Sequence, residues 1–239
     1  MAGSQCCENP PALNSNSGNG SVVQFGGIKS YVSGSSDSKN AIILISDVYG
    51  FEAPNLRKLA DKVAAAGYYV VVPDYFHGEP YDPSNAERPI KVWIMDHGPD
   101  KGFEETTPVI EALRQKGVSK IGAAGFCWGA KVVVKLAQGD YIQAGVFLHP
   151  SLVTVDEIKD VKVPLAILGA EIDHMSPPEL VNQFEAVLNA KPEVESFVKI
   201  FPGVVHGWTV RYNPKDPAEV KAAEEAHVDM LAWFGKHIN

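Results

Sequence analysis

Apolar residues along the chain fall into short continuous runs, separated by longer segments of helical composition. The runs at 41–45 and 69–72 are typical of strands covered on both faces. Strands that alternate with helices favour a parallel sheet with helices on both faces. Strands are predicted at 22–25, 28–32, 41–45, 69–72, 119–124, 143–148, 165–168 and 197–201, and helices at 55–66, 104–116, 128–137, 178–188 and 217–237.

The beginning of the chain departs from this alternation. Gly26-Gly27 separates two strand-like runs, which predicts an antiparallel hairpin. Residues 1–20 are rich in Asn, Ser, Gly and Pro and are expected to form a flexible arm. No linker or repeat divides residues 21–239, so we predict one domain there. The polar, Pro-rich stretch 75–103 is either part of a lid or a surface excursion.

Chemically capable side chains follow four of the predicted strands. Asp47, Cys127, Asp173 and His206 come shortly after the runs that begin at 41, 119, 165 and 197. Ligands of open α/β sheets bind at the carboxyl ends of the strands. We therefore expect these residues, which include a nucleophile, an acid and a base, to form the site.

Cys127 lies in Gly125-Phe126-Cys127-Trp128-Gly129, a G-x-S-x-G nucleophile elbow with sulfur in place of the hydroxyl. A sharp strand-to-helix turn brings the flanking backbone close together, and only glycine fits there. The helix N-terminus favours a thiolate. Taken alone, the residue is equally well explained as a small buried hydrophobe. The strand before it and the helix after it favour the elbow.

The order Cys127, Asp173, His206 is the nucleophile–acid–base order of the α/β-hydrolase fold. We therefore predict that fold, with a mostly parallel, doubly wound sheet and an N-terminal antiparallel hairpin. Asp173 is expected to orient the imidazole of His206. Glu171 is the alternative acid, and both Glu171 and His174 are otherwise expected to be solvated loop residues.

The loop after residues 41–45 carries Asp47 and Val48. This loop normally supplies one oxyanion donor in the fold. We expect the backbone N–H groups of Val48 and Trp128 to form the oxyanion hole. Two interpretations of Asp47 stay open, because it either modulates the protonation of the thiol or caps the helix that begins nearby.

Composition narrows the possible functions of the 239 residues. Hydrophobic residues make up 45%, which excludes a wholly disordered chain, and no apolar run reaches the ~18–20 residues of a membrane span. A net charge of −8 is unfavourable for binding nucleic acid. Three cysteines are too few for a disulfide scaffold and predict free thiols. We expect a cytoplasmic monomer without metal or cofactor, since no secretory leader or metal-binding motif is visible.

These motifs together resemble the dienelactone hydrolase family over nearly all of residues 21–239. The resemblance rests on the elbow 125–129 and the loops 171–177 and 202–207, with the segments 47–50 and 72–75. It implies hydrolysis of a small ester or lactone by Cys127, Asp173 and His206 through an acyl-thioester. The family places a Glu near the resting thiol, where this chain has Asp47.

The resemblance also implies a substrate pocket. The family holds a substrate carboxylate with arginines, for which Arg211 is the candidate here and Arg88 a weaker one. Aromatic residues near the strand ends either line this pocket or belong to the core. The candidates for substrate binding are Tyr49, Phe51, Tyr75, His149, Trp208 and Arg211.

Other functions remain open. The segment Cys6-Cys7-Glu-Asn-Pro-Pro11 looks like plant members of the family, some of which are filed as endo-1,3;1,4-β-glucanases. Glycosidases use two carboxylates, for which the candidates are Asp47, Glu52, Glu171 and Asp173. A small-molecule receptor on a hydrolase fold is a second alternative. A thiol redox protein built on Cys6 and Cys7 is a third.

Overall fold

The computed structural model describes residues 4–239, and these form an eight-stranded sheet with helices on both faces. The strands are β1 (Ser21–Phe25), β2 (Ile28–Ser33), β3 (Asn40–Ile45), β4 (Tyr69–Pro73), β5 (Lys120–Phe126), β6 (Ala144–Leu148), β7 (Leu165–Ile172) and β8 (Ser196–Val205). The helices are α1 (Pro54–Ala65), α2 (Ile90–Asp96), α3 (Pro99–Gln115), α4 (Trp128–Ala137), α5 (Val155–Lys159), α6 (Pro178–Asn189) and α7 (Pro217–His237).

The sheet has the strand order β1-β2-β4-β3-β5-β6-β7-β8. The pairs β1–β2 and β2–β4 are antiparallel, and every later pair is parallel. Gly26 and Gly27 join β1 to β2 with φ of +60° and +85°, values that favour glycine. The predicted N-terminal hairpin and the parallel remainder of the sheet are therefore both present.

Two apolar clusters lie on opposite faces of the sheet. Helices α1 and α7 cover one face, while α3, α4 and α6 cover the other. Strand β3 lies between the clusters, with residues 41–45 fully buried. Its continuous apolar run follows from this double coverage.

The structure differs from the prediction mainly between residues 75 and 119. Helix α3 begins at Pro99 rather than at 104, and α2 was not predicted. Glycine is unfavourable within a helix, so Gly102 hid the true start of α3 from a prediction based on composition. A Cβ at this position would come within 2.5 Å of the Trp128 ring, so glycine is what permits this close packing. Trp93 of α2 is buried and stacks on His97 at 4.5 Å between ring centroids. The stretch 75–103 is thus anchored by aromatic packing and is more than a surface excursion.

The described part of the predicted arm, residues 4–20, makes specific contacts. Arg57 of α1 donates from Nη1 to the carbonyl of Ser15 at 2.6 Å, and the N–H of Asn19 donates to Asp61 at 2.7 Å. A 3-10 turn, Ser4–Cys7, lies at the other end of the arm. Residues 1–3 lie outside the described residues. The mobility of the arm stays a prediction.

Candidate active site

Cys127 sits at the sharp turn between β5 and α4. Its φ of +52° and ψ of −109° are strained for a residue with a side chain. A Cβ on Gly125 would lie 2.3 Å from the carbonyl oxygen of Gly129, and one on Gly129 would lie 2.1 Å from that of Ile45. The two glycines therefore allow the backbone approach that presents Cys127 at the carboxyl edge of the sheet.

The imidazole of His206 is oriented by Asp173. Oδ2 of Asp173 lies 2.7 Å from Nδ1 of His206, and both side chains are buried. The other oxygen, Oδ1, accepts the backbone N–H groups of Met175 at 2.7 Å and Ser176 at 3.1 Å. With both oxygens engaged, the carboxylate is fixed and directs the second ring nitrogen, Nε2, away from itself.

Glu171, the alternative acid, does not contact the imidazole. It is exposed, and its Oε2 accepts the N–H of Gly203 at 2.6 Å. His174 is also exposed, and its backbone N–H donates to Oε1 of Gln5. The geometry therefore favours Asp173 as the partner of His206.

The thiol of Cys127 is fully buried and close to two polar side chains. Its Sγ lies 3.5 Å from Oγ of Ser151. The pKa of His206 is raised to about 9, because burial, which lowers it, is outweighed by the charge of Cys127 and by hydrogen bonds to Asp173 and Cys127. A thiolate of Cys127 and a protonated His206 therefore stabilise each other.

Asp47 lies in the same buried region. Its Oδ2 is 3.3 Å from Nε of Arg211, and its Oδ1 accepts the N–H of Tyr49 at 3.0 Å. Burial raises the pKa of Asp47 to about 6, Arg211 opposes the rise, and the charge of Cys127 adds to it. The interpretation of Asp47 as a helix cap is wrong, because α1 begins after Ala53 and has no side-chain cap.

The two predicted oxyanion donors are available. Trp128 is the first residue of α4, where a backbone N–H has no partner within the helix. The carbonyl of Val48 accepts the N–H of Tyr81 at 2.9 Å, which holds the loop after β3. Among the described residues, neither the N–H of Val48 nor that of Trp128 donates a hydrogen bond to the protein.

His149 packs beside the imidazole of His206. Its ring centroid lies 5.1 Å from that of His206 and 5.4 Å from that of Trp208. Nε2 of His149 is 2.7 Å from Oγ1 of Thr209. Burial, together with the charges of His206 and Arg211, lowers the pKa of His149 well below its usual value. His149 is therefore an uncharged neighbour of His206.

A cavity of about 430 Å³ lies beside His206, and Trp208 and Arg211 also line it. Tyr49, Phe51 and Tyr75, the remaining pocket candidates, do not line this cavity. Tyr75 is buried, with its hydroxyl 2.8 Å from Oγ1 of Thr106. The rings of Tyr49 and Phe51 lie near guanidinium groups, 5.8 Å from Arg211 and 5.0 Å from Arg57 respectively.

Arg88 is occupied by neighbours in its own segment. It forms ion pairs with Glu79 at 3.1 Å and with Asp96 at 2.8 Å. Arg211 is also paired, with Asp47, but it lines the cavity beside His206 and Arg88 does not, so Arg211 is the better placed of the two predicted arginines.

Three residues at the site were not predicted. Ser151 and Thr209 follow β6 and β8, so the search after strand ends could have found them. Gln5 is buried against the loop of Asp173, although it lies 167 residues from its partner Ile172. No local pattern in the sequence indicates such a contact.

No helix within residues 4–239 has the length and apolar character that a membrane span requires. Among these residues, the His, Cys, Asp and Glu side chains form no group able to hold a metal ion.

Known proteins resemble this chain in sequence. The model of the dienelactone hydrolase family matches residues 28–238. An endo-1,3;1,4-beta-D-glucanase of Zea mays is 41% identical over 199 residues, which cover 81% of this chain and 64% of that protein. The chain thus spans less than two thirds of this relative. A carboxymethylenebutenolidase homolog of Xenopus tropicalis is 35% identical over 225 residues, which cover 92% of both chains.

Solved structures resemble it in fold. A candidate dienelactone hydrolase from Klebsiella pneumoniae superposes with a TM-score of 0.77 at 19% identity, covering 92% of this chain and 98% of that one. The likeness confirms the predicted, mostly parallel α/β-hydrolase fold.

Proposed function

Since the chain belongs to the dienelactone hydrolase family, whose members include ester and lactone hydrolases, we propose that Cys127, Asp173 and His206 are its catalytic triad. The substrate is a small ester or lactone, and the reaction passes through an acyl-thioester on Cys127. The observation that carries the proposal is the buried Asp173–His206 pair, whose imidazole has its pKa raised by the neighbouring thiol.

Attack begins from the thiolate of Cys127. Its electron pair forms a C–S bond with the ester carbonyl carbon, and the carbonyl oxygen takes the negative charge. Backbone N–H groups of Val48 and Trp128 stabilise that oxyanion. Collapse of the intermediate breaks the C–O bond, and protonated His206 gives its proton to the leaving alkoxide.

The second half of the reaction releases the acid. Neutral His206 takes a proton from water, and the hydroxide equivalent attacks the thioester carbon. The C–S bond then breaks and Cys127 leaves as the thiolate, facing protonated His206 again. Asp173 holds the imidazole in the orientation that both proton transfers need.

A glucanase is the alternative, favoured by the name of the maize relative. It needs two carboxylates at the scissile bond, one of them a proton donor. Three of the four candidates are engaged: Asp47 with Arg211, Glu171 with the N–H of Gly203, and Asp173 with His206. These contacts favour the ester hydrolase.

The test compares wild type and Cys127→Ala on p-nitrophenyl acetate, a dienelactone and mixed-linkage β-glucan. The exposed Ser36→Ala, in the connection between β2 and β3, is the control. We expect Cys127→Ala to lower ester or lactone turnover by at least about 10³-fold, as loss of a triad nucleophile does. Ser36→Ala should stay near wild type. Ester turnover that survives in Cys127→Ala overturns the proposal, and glucan cleavage by both proteins favours the alternative.

A further inference from the structure

The proposed catalytic groups are closed off from solvent in this structure. Cys127 is 0% exposed, and Asp47 and His206 are each 2% exposed. An ester carbonyl has to reach the sulfur of Cys127 within bonding distance. Some part of the protein therefore has to move before a substrate reacts.

The N-terminal segment 5–8, which we call the strap, lies across the site and is held at both of its ends. At the first end, the amide of Gln5 donates from Nε2 to the carbonyl of Ile172 at 2.9 Å and accepts the N–H of His174. At the other end, Arg211 donates from Nη1 to the carbonyl of Glu8 at 2.8 Å. Gln5 is 4% exposed, so its amide is buried between the strap and the loop.

A third contact holds the middle of the strap. The hydroxyl of Tyr49 donates to the carbonyl of Cys7 at 2.6 Å. The three anchors belong to three different loops of the site. Ile172 and His174 flank Asp173, Tyr49 follows Val48, and Arg211 follows His206. The strap therefore spans the opening between the three loops that carry Asp173, Val48 and His206.

The chain next to the strap is suited to act as a hinge. Within the described part of the protein, residues 9–13 form no hydrogen bond. Beyond them, the N–H of Asn14 donates to the carbonyl of Glu52 at 3.2 Å, and Arg57 holds the carbonyl of Ser15. Asn9 borders the cavity beside His206 and also a second cavity of about 590 Å³. The arm is thus anchored beyond the hinge, and Asn9 itself borders open space.

We infer that residues 5–8 form an autoinhibitory strap that closes the site and has to release all three of these anchors before a substrate reaches Cys127. The identity of the substrate rests on the function proposed above, whereas the closure rests on these contacts alone. The strap reduces the fraction of molecules open to substrate, and this fraction scales the apparent affinity. Large substrates need more complete release than small ones.

The test measures alkylation of Cys127, resolved by mass spectrometry of the peptide that contains it. Iodoacetamide serves as the small reagent and a bulky N-aryl maleimide as the large one. Gln5→Ala removes the two hydrogen bonds of the first anchor, and Gln5→Ala with Tyr49→Phe also removes the third. Asn14→Ala is the matched control, because within residues 4–239 its side chain accepts only the exposed N–H of Asn16.

We expect Gln5→Ala to alkylate Cys127 about tenfold faster, since each lost hydrogen bond shifts an equilibrium by roughly 2- to 12-fold. The double variant should be faster still, the gain should be larger for the maleimide, and Asn14→Ala should match wild type. Equal rates in all four proteins overturn the strap. Equal acceleration by both reagents also overturns it, because that points to altered thiol chemistry.

The same proteins separate the two proposals. If alkylation accelerates but no protein hydrolyses an ester, the strap stands and the proposed function fails. If hydrolysis depends on Cys127 while alkylation is the same in every variant, the function stands and the strap fails. Circular dichroism and the thermal midpoint confirm that each variant is folded.

Discussion

At the scale of single residues, Cys127 is buried near a base, His206, and an acid, Asp47, which have opposite effects on ionisation of the thiol. His206, with its pKa raised to about 9, favours the thiolate. Asp47, with its pKa raised to about 6, carries a negative charge at neutral pH and disfavours it. The ion pair with Arg211 reduces this repulsion without removing it. The reactivity of the thiol is therefore set by a balance of three side chains.

Asp47→Asn shifts this balance toward the thiolate. In wild type, Asp47 loses its proton as the pH rises through about 6, and its charge then opposes ionisation of the thiol. Without that charge, the pH at which Cys127 becomes half-reactive toward iodoacetamide should fall. Rates of alkylation between pH 5 and 9 measure it, with the exposed Asp37→Asn as control. A midpoint that rises, or one that Asp37→Asn shifts equally, contradicts the prediction.

Asp173→Asn keeps the shape of the side chain but removes the charge that orients His206. We expect kcat for ester hydrolysis to fall by about 10³- to 10⁴-fold, the loss found when this group is neutralised in other triads. Glu171→Gln, two residues earlier, is the matched control and should cost at most about tenfold, since Glu171 is exposed and accepts a hydrogen bond from the backbone of Gly203. Equal losses in both variants would reverse the assignment of the acid.

The positions of Cys127, Asp173 and His206 at one edge of the sheet were predictable from sequence. Each of Cys127, Asp173 and His206 follows a strand, and the fold places strand ends together. Ser151 follows β6 in the same way, so the same rule also indicates it. The ion pair of Asp47 with Arg211 could not be predicted from sequence, because it depends on side-chain directions in two loops distant in sequence.

At the scale of elements, the site depends on how closely the start of α4 approaches β3. Gly129 packs against the end of β3, where a Cβ would lie 2.1 Å from the carbonyl oxygen of Ile45. Backbone atoms of a fully buried strand cannot shift by the distance needed. The elbow therefore depends on the absence of a side chain at this position.

Gly129→Ala should lower the free energy of unfolding by about 2–4 kcal/mol, because the added methyl group overpacks a rigid backbone. Gly235→Ala adds the same group in α7, where the new Cβ would lie 3.7 Å from Nδ2 of Asn239, an ordinary van der Waals contact. There we expect a gain of about 0.5–1 kcal/mol, the helix preference of Ala over Gly. Urea unfolding of both variants measures the contrast. A Gly129→Ala protein as stable as wild type would show that the turn is looser than described.

Element types were well predicted where the apolar pattern was strong. The bounds of α4 and α7 agree with prediction, and both are bordered by clear breaks in pattern. Helix α5 was missed because it has only five residues, although Thr154 and Glu157 form a capping box at its start. Strand β8 extends to Val205. The prediction ended it at 201, because Pro and Gly, which follow at 202 and 203, ordinarily interrupt a strand.

At the scale of the whole molecule, buried histidines link stability to pH. His227 of α7 is 1% exposed, and its Nε2 lies 2.8 Å from the carbonyl oxygen of Thr209. Burial lowers its pKa to about 4, with the Thr209 contact and Glu224 working in the opposite direction. The unfolded chain takes up this proton near pH 6.5, whereas the folded chain does so only near pH 4.

The free energy of unfolding should therefore decrease as the pH falls from about 6.5 to 4, and His227 should contribute about 2–3 kcal/mol of this loss. His227→Gln removes that contribution, so its stability should change less with pH than that of wild type. The raised pKa of Asp47 increases the free energy of unfolding as the pH falls through about 6, but it does so equally in wild type and in His227→Gln. Urea unfolding at a series of pH values measures the slopes, with the exposed His174→Gln as control. Identical slopes for wild type and His227→Gln contradict the prediction.

The path of the N-terminal arm was the least predictable feature of the molecule. Its composition indicates a loosely held segment, and composition carries no information about distant partners. Gln5 meets Ile172 across 167 residues of sequence, and Glu8 meets Arg211 across 203. Such contacts follow from the completed fold, which brings the loops of the site to one edge of the sheet.

The most direct test of the central claim is to trap the acyl-enzyme. Wild type is quenched with acid during turnover of a p-nitrophenyl ester, digested, and its peptides are weighed by mass spectrometry. We predict an acyl group on the peptide that contains Cys127, absent from Cys127→Ala and labile to hydroxylamine as thioesters are. Steady hydrolysis with no acyl group on Cys127, or with the group on another residue, would contradict the account.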